Sequence, residues 1–372
     1  MISNIDRQVS INEITILPSK DPNEILSRSE INTCVYDSFQ RDQNRDILPI
    51  FISPMTTVVC EDNIEIFEKL GLNPIFPRIG DFVDRCAYSE EHWVAFSLAE
   101  FERIVEEKVP NEHVQMYICI DMANGHMEKI YTLAKKAKKT YNNITLMVGN
   151  IANPEMYRYC CDAHIEYVRV GIGGGSVCTT SAQTGIHASL PYIISEINKY
   201  KALIDDRDRF TTRVIADGGI DTIDKAIKCI AMGYDYVMMG KAIAQSFQAC
   251  GPIRTHITTY NGNDIYANGN LFGVDENVVF TGDAKKVVLE RLYYGMSSEH
   301  GQEDISGGAN KNPEGIEKWV EVKYPISKFV KQFEDALKSS MSYVGVDELY
   351  QFRQSANCAL MSRAEYDAYY KA

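Results

Sequence analysis

At 372 residues the chain has room for one large domain or two ordinary ones, and its 45% hydrophobic content supplies a sizeable core. The formal net charge of -13 argues against nucleic acid or an anionic membrane as a partner, since both need a basic surface. A small anionic substrate stays open, because backbone N–H groups at a helix N-terminus bind phosphate even on an acidic protein. The stretch MISNIDRQVSINEI has no apolar signal-peptide core, and no run reaches the ~20 apolar residues of a membrane span. The ten cysteines are irregularly spaced with no Cys-x-x-Cys pair, which reads as a reduced, cytoplasmic setting.

Short apolar runs recur along the chain, each followed by a helical pattern. Strands are predicted at Pro49–Ser53, Asn73–Pro77, His92–Ser97, Met116–Asp121, Ile144–Gly149, Glu166–Gly171, Arg213–Asp217 and Asp235–Gly240. Runs such as MYICID, ITLMVG and DYVMMG are nearly all apolar, as strands of a parallel sheet buried on both faces are. Between them NIEIFEKL, MEKIYTLAKKAKK, LPYIISEINKY and TIDKAIKCIAM carry helical periodicity. Eight such units favour a single α/β domain over residues 1–372, a closed (β/α)8 TIM barrel. Two regions break the rhythm. Residues 252–290, rich in Asn, Gly and Asp, read as an excursion folded as a β-hairpin. Residues 299–317 are polar and Gly-rich without periodicity, which suits a mobile loop over a site. A last long helix is expected from about Ile326 to Ser339.

The chemistry concentrates in VRVGIGGGSVCTTSAQTG, residues 168–185. A strand runs into Gly171, Gly173, Gly174 and Gly175, which let backbone approach a ligand and whose carbonyls can ring a cation. Cys178 then sits past the C-terminal end of a strand, where barrels place their chemistry, and a thiolate there is a nucleophile. A second segment pairs VIADGGIDT with YVMMGKA. Asp217 can accept both hydroxyls of a ribose, and the N–H groups of Gly218, Gly219, Gly240 and Lys241 face a phosphate. The bland readings are a turn for Asp-Gly-Gly and a solvated charge for Lys241. A third segment, CIDMANGH, ends a strand at Asp121, which orients a ring or an amide, or else caps the next helix. The motifs YYGMSSE and Asn312-Pro313-Glu314-Gly315 say little alone, and Glu314 reads by itself as a surface charge.

Taken together, GIGGGSVCTT, ADGGI, VMMG and GMSS, in this order and spacing, resemble the IMP dehydrogenase / GMP reductase family over most of the chain. The resemblance implies a homotetramer acting on a purine nucleotide, GMP or IMP, with a nicotinamide cofactor. It implies Cys178 as the nucleophile at purine C2 and Thr180 with Glu314 as a proton-transfer pair. Substrate contacts fall on Ser176, Asp217, Gly218, Gly219, Gly240, Lys241, Gly295, Met296, Ser297 and Gly315. Cofactor contacts fall on Arg78, where the family usually has lysine, on Asp121, Ala123, Asn124, Gly125, Ile172 and Gly173, and on Ser27 and Arg28 reaching from a neighbouring subunit. Carbonyls of Gly173, Gly175 and Cys178 match a potassium loop. The chain has no room for the regulatory CBS insert of the dehydrogenases, and residues 299–317 hold neither arginine nor tyrosine, the pair that activates water there. DMANGH and GMSSE also look like the reductase. An NADPH-dependent GMP reductase is therefore expected. The alternatives are an IMP dehydrogenase without CBS modules, or an enzyme of a modified purine nucleotide. Departures from the family pattern include Thr56 for aspartate, Ser181 for arginine, and the dehydrogenase-like ADGGI and PEGIE.

Overall fold

The computed structural model describes residues 8–22, 27–39, 46–107, 115–141, 143–203, 211–259, 264–268, 284–306 and 312–370. Strand β1 (Ile14–Leu17) precedes eight strands: β2 (Ile50–Ile52), β3 (Asn73–Phe76), β4 (Trp93–Phe96), β5 (Met116–Asp121), β6 (Ile144–Ile151), β7 (Tyr167–Val170), β8 (Arg213–Asp217) and β9 (Tyr236–Met239). These eight are parallel and close into a barrel, with Phe51 of β2 opposite Met238 of β9. The apolar runs explain the architecture. A strand buried on both faces can face side chains inward to the barrel and outward to helices. Each of β2, β3, β4, β7 and β9 is buried along its whole length.

Helices cover the outside by one face each. Helix Leu98–Glu107 buries Leu98, Phe101, Ile104 and Val105, one stripe at 3.6-residue spacing. Helix Ile223–Ala231 is more deeply enclosed, with every residue from Ala226 to Ala231 buried. The last long helix runs Ile326–Val344, past the expected end near Ser339, because Met341 and Val344 extend its buried stripe. It stops where Gly345 takes φ +83° and returns its N–H to Met341 O at 2.9 Å.

The excursion after β9 is more than a hairpin. Strands β10 (Ile253–Thr259), β11 (Asp264–Asn268), β12 (Ala284–Tyr294) and β13 (Glu317–Glu321) form an antiparallel sheet in the order β11-β10-β12-β13. Residues 260–263 and 269–283 of that region lie outside the described residues. The loop expected over 299–317 is a helix at Glu299–Ser306, with 307–311 outside the described residues. Its first turn is capped locally: Gly301 N donates to Ser298 Oγ at 3.1 Å and Gln302 N to Ser298 O at 3.0 Å. A cap of this kind starts a helix that apolar periodicity does not announce. The final strand β14 (Asn357–Leu360) pairs antiparallel with β1.

An aromatic floor seals the N-terminal end of the barrel. Phe51 stands edge-on to Trp93, Tyr167 and Tyr236, with ring centroids 5.8, 5.7 and 5.0 Å away. The Tyr167 and Tyr236 hydroxyls both donate to Asp37 Oδ2, at 2.8 and 2.7 Å. Asp37 is itself buried, so the two hydroxyls replace the water its carboxylate would otherwise hold. Removing the ring at the centre of this floor should be costly: Phe51→Ala is expected to lose about 3–5 kcal/mol of unfolding free energy in urea titrations. A loss below about 1 kcal/mol would mean that the floor repacks and that Phe51 is not its keystone.

Candidate active site

A cavity of about 290 Å³ opens at the C-terminal end of the barrel strands. That is near the lower end of ligand pockets, which run roughly 300–1,000 Å³. Its wall is drawn from most of the turns that follow the strands. The predicted residues Arg78, Asp121, Ala123, Ile172, Gly173, Gly175, Ser176, Cys178, Thr180, Asp217, Gly218, Gly219, Gly240, Lys241, Gly295, Met296 and Ser297 all line it. Segments more than 200 residues apart in sequence thus converge on one mouth.

Cys178 heads a chain of hydrogen bonds. Its thiol donates to Thr180 Oγ1 at 3.3 Å, and that hydroxyl donates to Glu314 Oε2 at 2.7 Å. Glu314 does not itself line the cavity, yet the fold holds it firmly. Thr179 N donates to Glu314 O at 2.9 Å, Ile316 N to Val177 O at 2.9 Å, and Glu314 N to Ser297 O at 3.0 Å. Gly315 pairs with Cys178 across this short ladder. The expected surface charge is therefore a half-buried carboxylate joined to the thiol through one hydroxyl. Such a line can carry a proton away from sulfur and return it.

The largest charge in the mouth was missed in the sequence. Arg169, in the middle of β7, is 7% exposed and lies between two carboxylates. Its NH1 donates to Asp121 Oδ1 at 2.6 Å, while Nε and NH2 reach Asp217 Oδ2 at 3.1 and 2.9 Å. Asn150 adds its amide to the same Asp217 oxygen at 2.8 Å and to Gly171 O at 2.7 Å. Arg78 Nε stands 3.5 Å from Asp121 Oδ2. Burial alone would raise the Asp121 carboxyl, but Arg169 and Arg78 outweigh it and hold that carboxyl below the usual range. Asp121 is thus part of a buried ion network and not a helix cap. The signal that could have found Arg169 was a lone charge inside the apolar run YVRV.

Glycines let the two ligand loops interlock. Gly171 has φ +121°, and a Cβ there would lie 2.1 Å from Asp217 O. A Cβ on Gly219 would lie 2.8 Å from Gly174 O. Among the described residues no carbonyl takes the N–H groups of Gly218, Gly219 or Lys241, which leaves them for an anion. The Lys241 ammonium is not simply solvated: it pairs with Asp221 at 3.1 Å. Tyr293 on β12, a second residue missed in the sequence, is buried in the same wall.

Four predicted cofactor residues are not brought to this wall. Asn124 caps His126 N at 3.1 Å, and Gly125 spends its N–H on Asn150 O at 2.8 Å. Ser27 caps a 3-10 turn at Arg28–Glu30, and neither Ser27 nor Arg28 lines the cavity of its own chain. Thr56 supplies a different contact. Its hydroxyl donates to Asp304 Oδ2 at 2.7 Å, and Tyr294 OH donates to the same oxygen at 2.9 Å. This clasp ties helix Glu299–Ser306 to the turn after β2, beside Met55 and Met296 of the wall.

Comparison with known proteins agrees with this geometry. The family model described as the IMP dehydrogenase / GMP reductase domain matches residues 99–367. The chain belongs to the IMP dehydrogenase / GMP reductase family. It is 26% identical to an inosine-5'-monophosphate dehydrogenase of Rhizobium tropici, over 93% of this chain and 64% of that protein. It is 25% identical to human GMP reductase 2, over 93% of this chain and 92% of that protein. It is 32% identical to an inosine-5'-monophosphate dehydrogenase of Streptococcus pyogenes, over 66% of this chain and 45% of that protein. The family consists of oxidoreductases of purine nucleotides. Among the described residues no helix is long and apolar enough to cross a membrane.

The buried network gives a pH-dependent expectation. With its carboxyl held low, Asp121 stabilises the fold above the ordinary carboxylate range and loses that contribution as pH falls through its folded value. Arg169→Met strands the buried carboxylates and should cost about 3–5 kcal/mol at pH 7 in urea unfolding. The loss should shrink at pH 5, because Asp121 then lacks the larger of the two cations that hold its carboxyl low and goes neutral more readily. An equal loss at both pH values would show that the network does not set these charges.

Proposed function

We propose that this chain is an NADPH-dependent GMP reductase, converting GMP to IMP and ammonia. Two things support the reading. The Cys178–Thr180–Glu314 line stands at the mouth of this family's barrel. Residues 299–317 offer no arginine or tyrosine to activate the water that a dehydrogenase needs. The near-complete coverage of human GMP reductase 2 agrees with it.

In this reading the phosphate of GMP lies on the N–H groups of Gly218, Gly219, Gly240 and Lys241, and the ribose on Asp217, whose Oδ1 is clear of Arg169. Ser176, Gly295, Met296 and Ser297 line the cavity around the base, with Gly315 behind them against Cys178. The Cys178 sulfur adds to C2 as its proton passes through Thr180 to Glu314. That proton then goes to the 2-amino nitrogen, the C2–N bond breaks, and ammonia leaves. NADPH, when bound, would supply the hydride that C2 needs; Cys178 would leave with the C2–S electron pair as a thiolate, freeing IMP. Among the described residues Arg78 Nε is a buried donor with no hydrogen bond, and with Asp121, Ala123, Ile172 and Gly173 it gives the nicotinamide end a polar wall. Asn124 and Gly125 lie in the turn just beyond Ala123, off the wall, and reach the cofactor only if that turn shifts on binding. Ser27 and Arg28 serve it across a homotetramer contact.

A potassium ion also fits. Among the described residues Gly173 O accepts only Ser181 Oγ, at 3.2 Å, and Gly175 O only Cys178 N, at 3.1 Å. Each carbonyl therefore keeps a lone pair, and neutral carbonyl oxygens, with that of Cys178, suit a monovalent cation. The site acts in the cytoplasm.

The streptococcal similarity favours a second reading, an IMP dehydrogenase without CBS modules. One assay separates the two. With GMP and potassium, the purified protein should oxidise NADPH and release IMP and ammonia in equal amounts. Steady NADH production from IMP and NAD, without the first activity, would overturn the reductase reading. Cys178→Ala should abolish turnover while GMP affinity stays within about tenfold, since phosphate and ribose contacts remain. Glu314→Gln should slow ammonia loss more than hydride transfer. Equal rates to wild type would remove Glu314 from the proton path.

A further inference from the structure

Helix Glu299–Ser306 is fastened beside the cavity by a carboxylate that takes no part in the proposed chemistry. Asp304 Oδ2 accepts hydroxyls from two other elements: Thr56 Oγ1, in the turn after β2, at 2.7 Å, and Tyr294 OH, at the end of β12, at 2.9 Å. Tyr294 is buried, and burial pushes its hydroxyl up to about 12, so it stays a donor. Its ring holds the same helix a second time. The His300 imidazole stacks on it with centroids 5.6 Å apart, and His300 Nδ1 also pairs with Glu317 at the start of β13. His300 and Asp304 are four residues apart, so they share the helix face that meets Tyr294.

What holds this helix also holds the turn before it. Ser298 caps the helix through Gly301 N and Gln302 N, and returns its own N–H and hydroxyl to Gly295 O at 3.0 and 2.8 Å. Between those two residues, Met296 and Ser297 line the cavity. Thr56 Oγ1 stands 4.0 Å from Met296 Sδ, and Ser297 O accepts Glu314 N at 3.0 Å. A line of contacts therefore runs from Asp304 through the capped turn to the backbone of Glu314. Asp304 itself does not line the cavity. Thr56 makes the arrangement particular to this chain. It stands where the family pattern has aspartate, and an aspartate there would set two carboxylates face to face.

We propose that Asp304 is a positioning residue: by latching helix Glu299–Ser306 to the turn after β2 and to Tyr294, it fixes Met296 and Ser297 in the wall and aligns Glu314 with Thr180. The inference rests on the Cys178–Thr180–Glu314 line of the proposed function and adds to it a group that acts through backbone. A group that acts on proton transfer only through Glu314 loses its effect once Glu314 can no longer take the proton.

The test uses the full chain and two readouts. In amide exchange without ligand, Asp304→Ala should speed exchange over residues 298–302 and 314–316 by about threefold or more and leave β5 unchanged. Asp304→Asn should stay within about twofold of wild type, because one amide oxygen can accept both hydroxyls. Thr56→Asp should behave as Asp304→Ala does. Combined with Asp304→Asn it should return to within about twofold of wild type, since the new amide donates to the new carboxylate. In single-turnover ammonia release from GMP, Asp304→Ala should be about tenfold slower than wild type, and should slow Glu314→Gln no further. Unchanged exchange in Asp304→Ala, or in Thr56→Asp, would overturn the latch. A further multiplicative loss in the double variant would overturn positioning through Glu314. Exchange needs no turnover. Faster exchange at both segments in a protein that releases no ammonia from GMP would remove the reductase reading and leave the latch standing.

Discussion

A guanidinium buried in the mouth of a barrel is the constraint around which the site is arranged. Arg169 is taken out of water almost completely, a desolvation that would cost several kcal/mol if uncompensated. Asp121 from β5 and Asp217 from β8 answer it on either side, at 2.6 and 2.9 Å. Arg78 stands on the far side of Asp121, so two positive and two negative side chains share one low-dielectric space. The arrangement fixes three strands at their C-terminal ends and stiffens the ground on which the glycine loops sit. In the proposed reading, a ribose placed against Asp217 meets an oxygen already oriented, so little reorganisation remains at binding.

The reactive line from Cys178 to Glu314 is built differently. Thr180 and Cys178 are two residues apart on one loop, but Glu314 arrives from far along the chain and is held by backbone pairing. Backbone holds what chemistry needs: the ladder through Val177, Thr179, Glu314 and Ile316 aligns a carboxylate with a hydroxyl to 2.7 Å. The Thr56–Asp304–Tyr294 clasp secures the other edge, so helix Glu299–Ser306 is held at the cavity as firmly as Glu314 is.

The barrel was legible in the sequence because it rests on burial, and burial leaves a pattern. All eight strands fall where apolar runs predicted them, within a residue or two at each end. Cys178, Asp217 and the glycine loops were legible because glycines clustered beside a thiol have few other uses. Arg169 was not, since a charge in an apolar run has meaning only when its partners, 48 residues away on either side, are known. Glu314 read alone as a surface charge for the same reason: its role depends on a ladder no local pattern encodes. Helix Glu299–Ser306 escaped because its cap and clasp, not apolar periodicity, hold it. The four-stranded sheet after β9 showed only as a break in rhythm, because its strands pair across segments far apart in the chain.

The aromatic floor has one more consequence. Phe51, its three aromatic neighbours and the Asp37 carboxylate shut the barrel at its N-terminal end. Among the described residues, Cys178 is therefore reached from the C-terminal end of the barrel, and the stack of rings keeps water and solutes from entering beneath it.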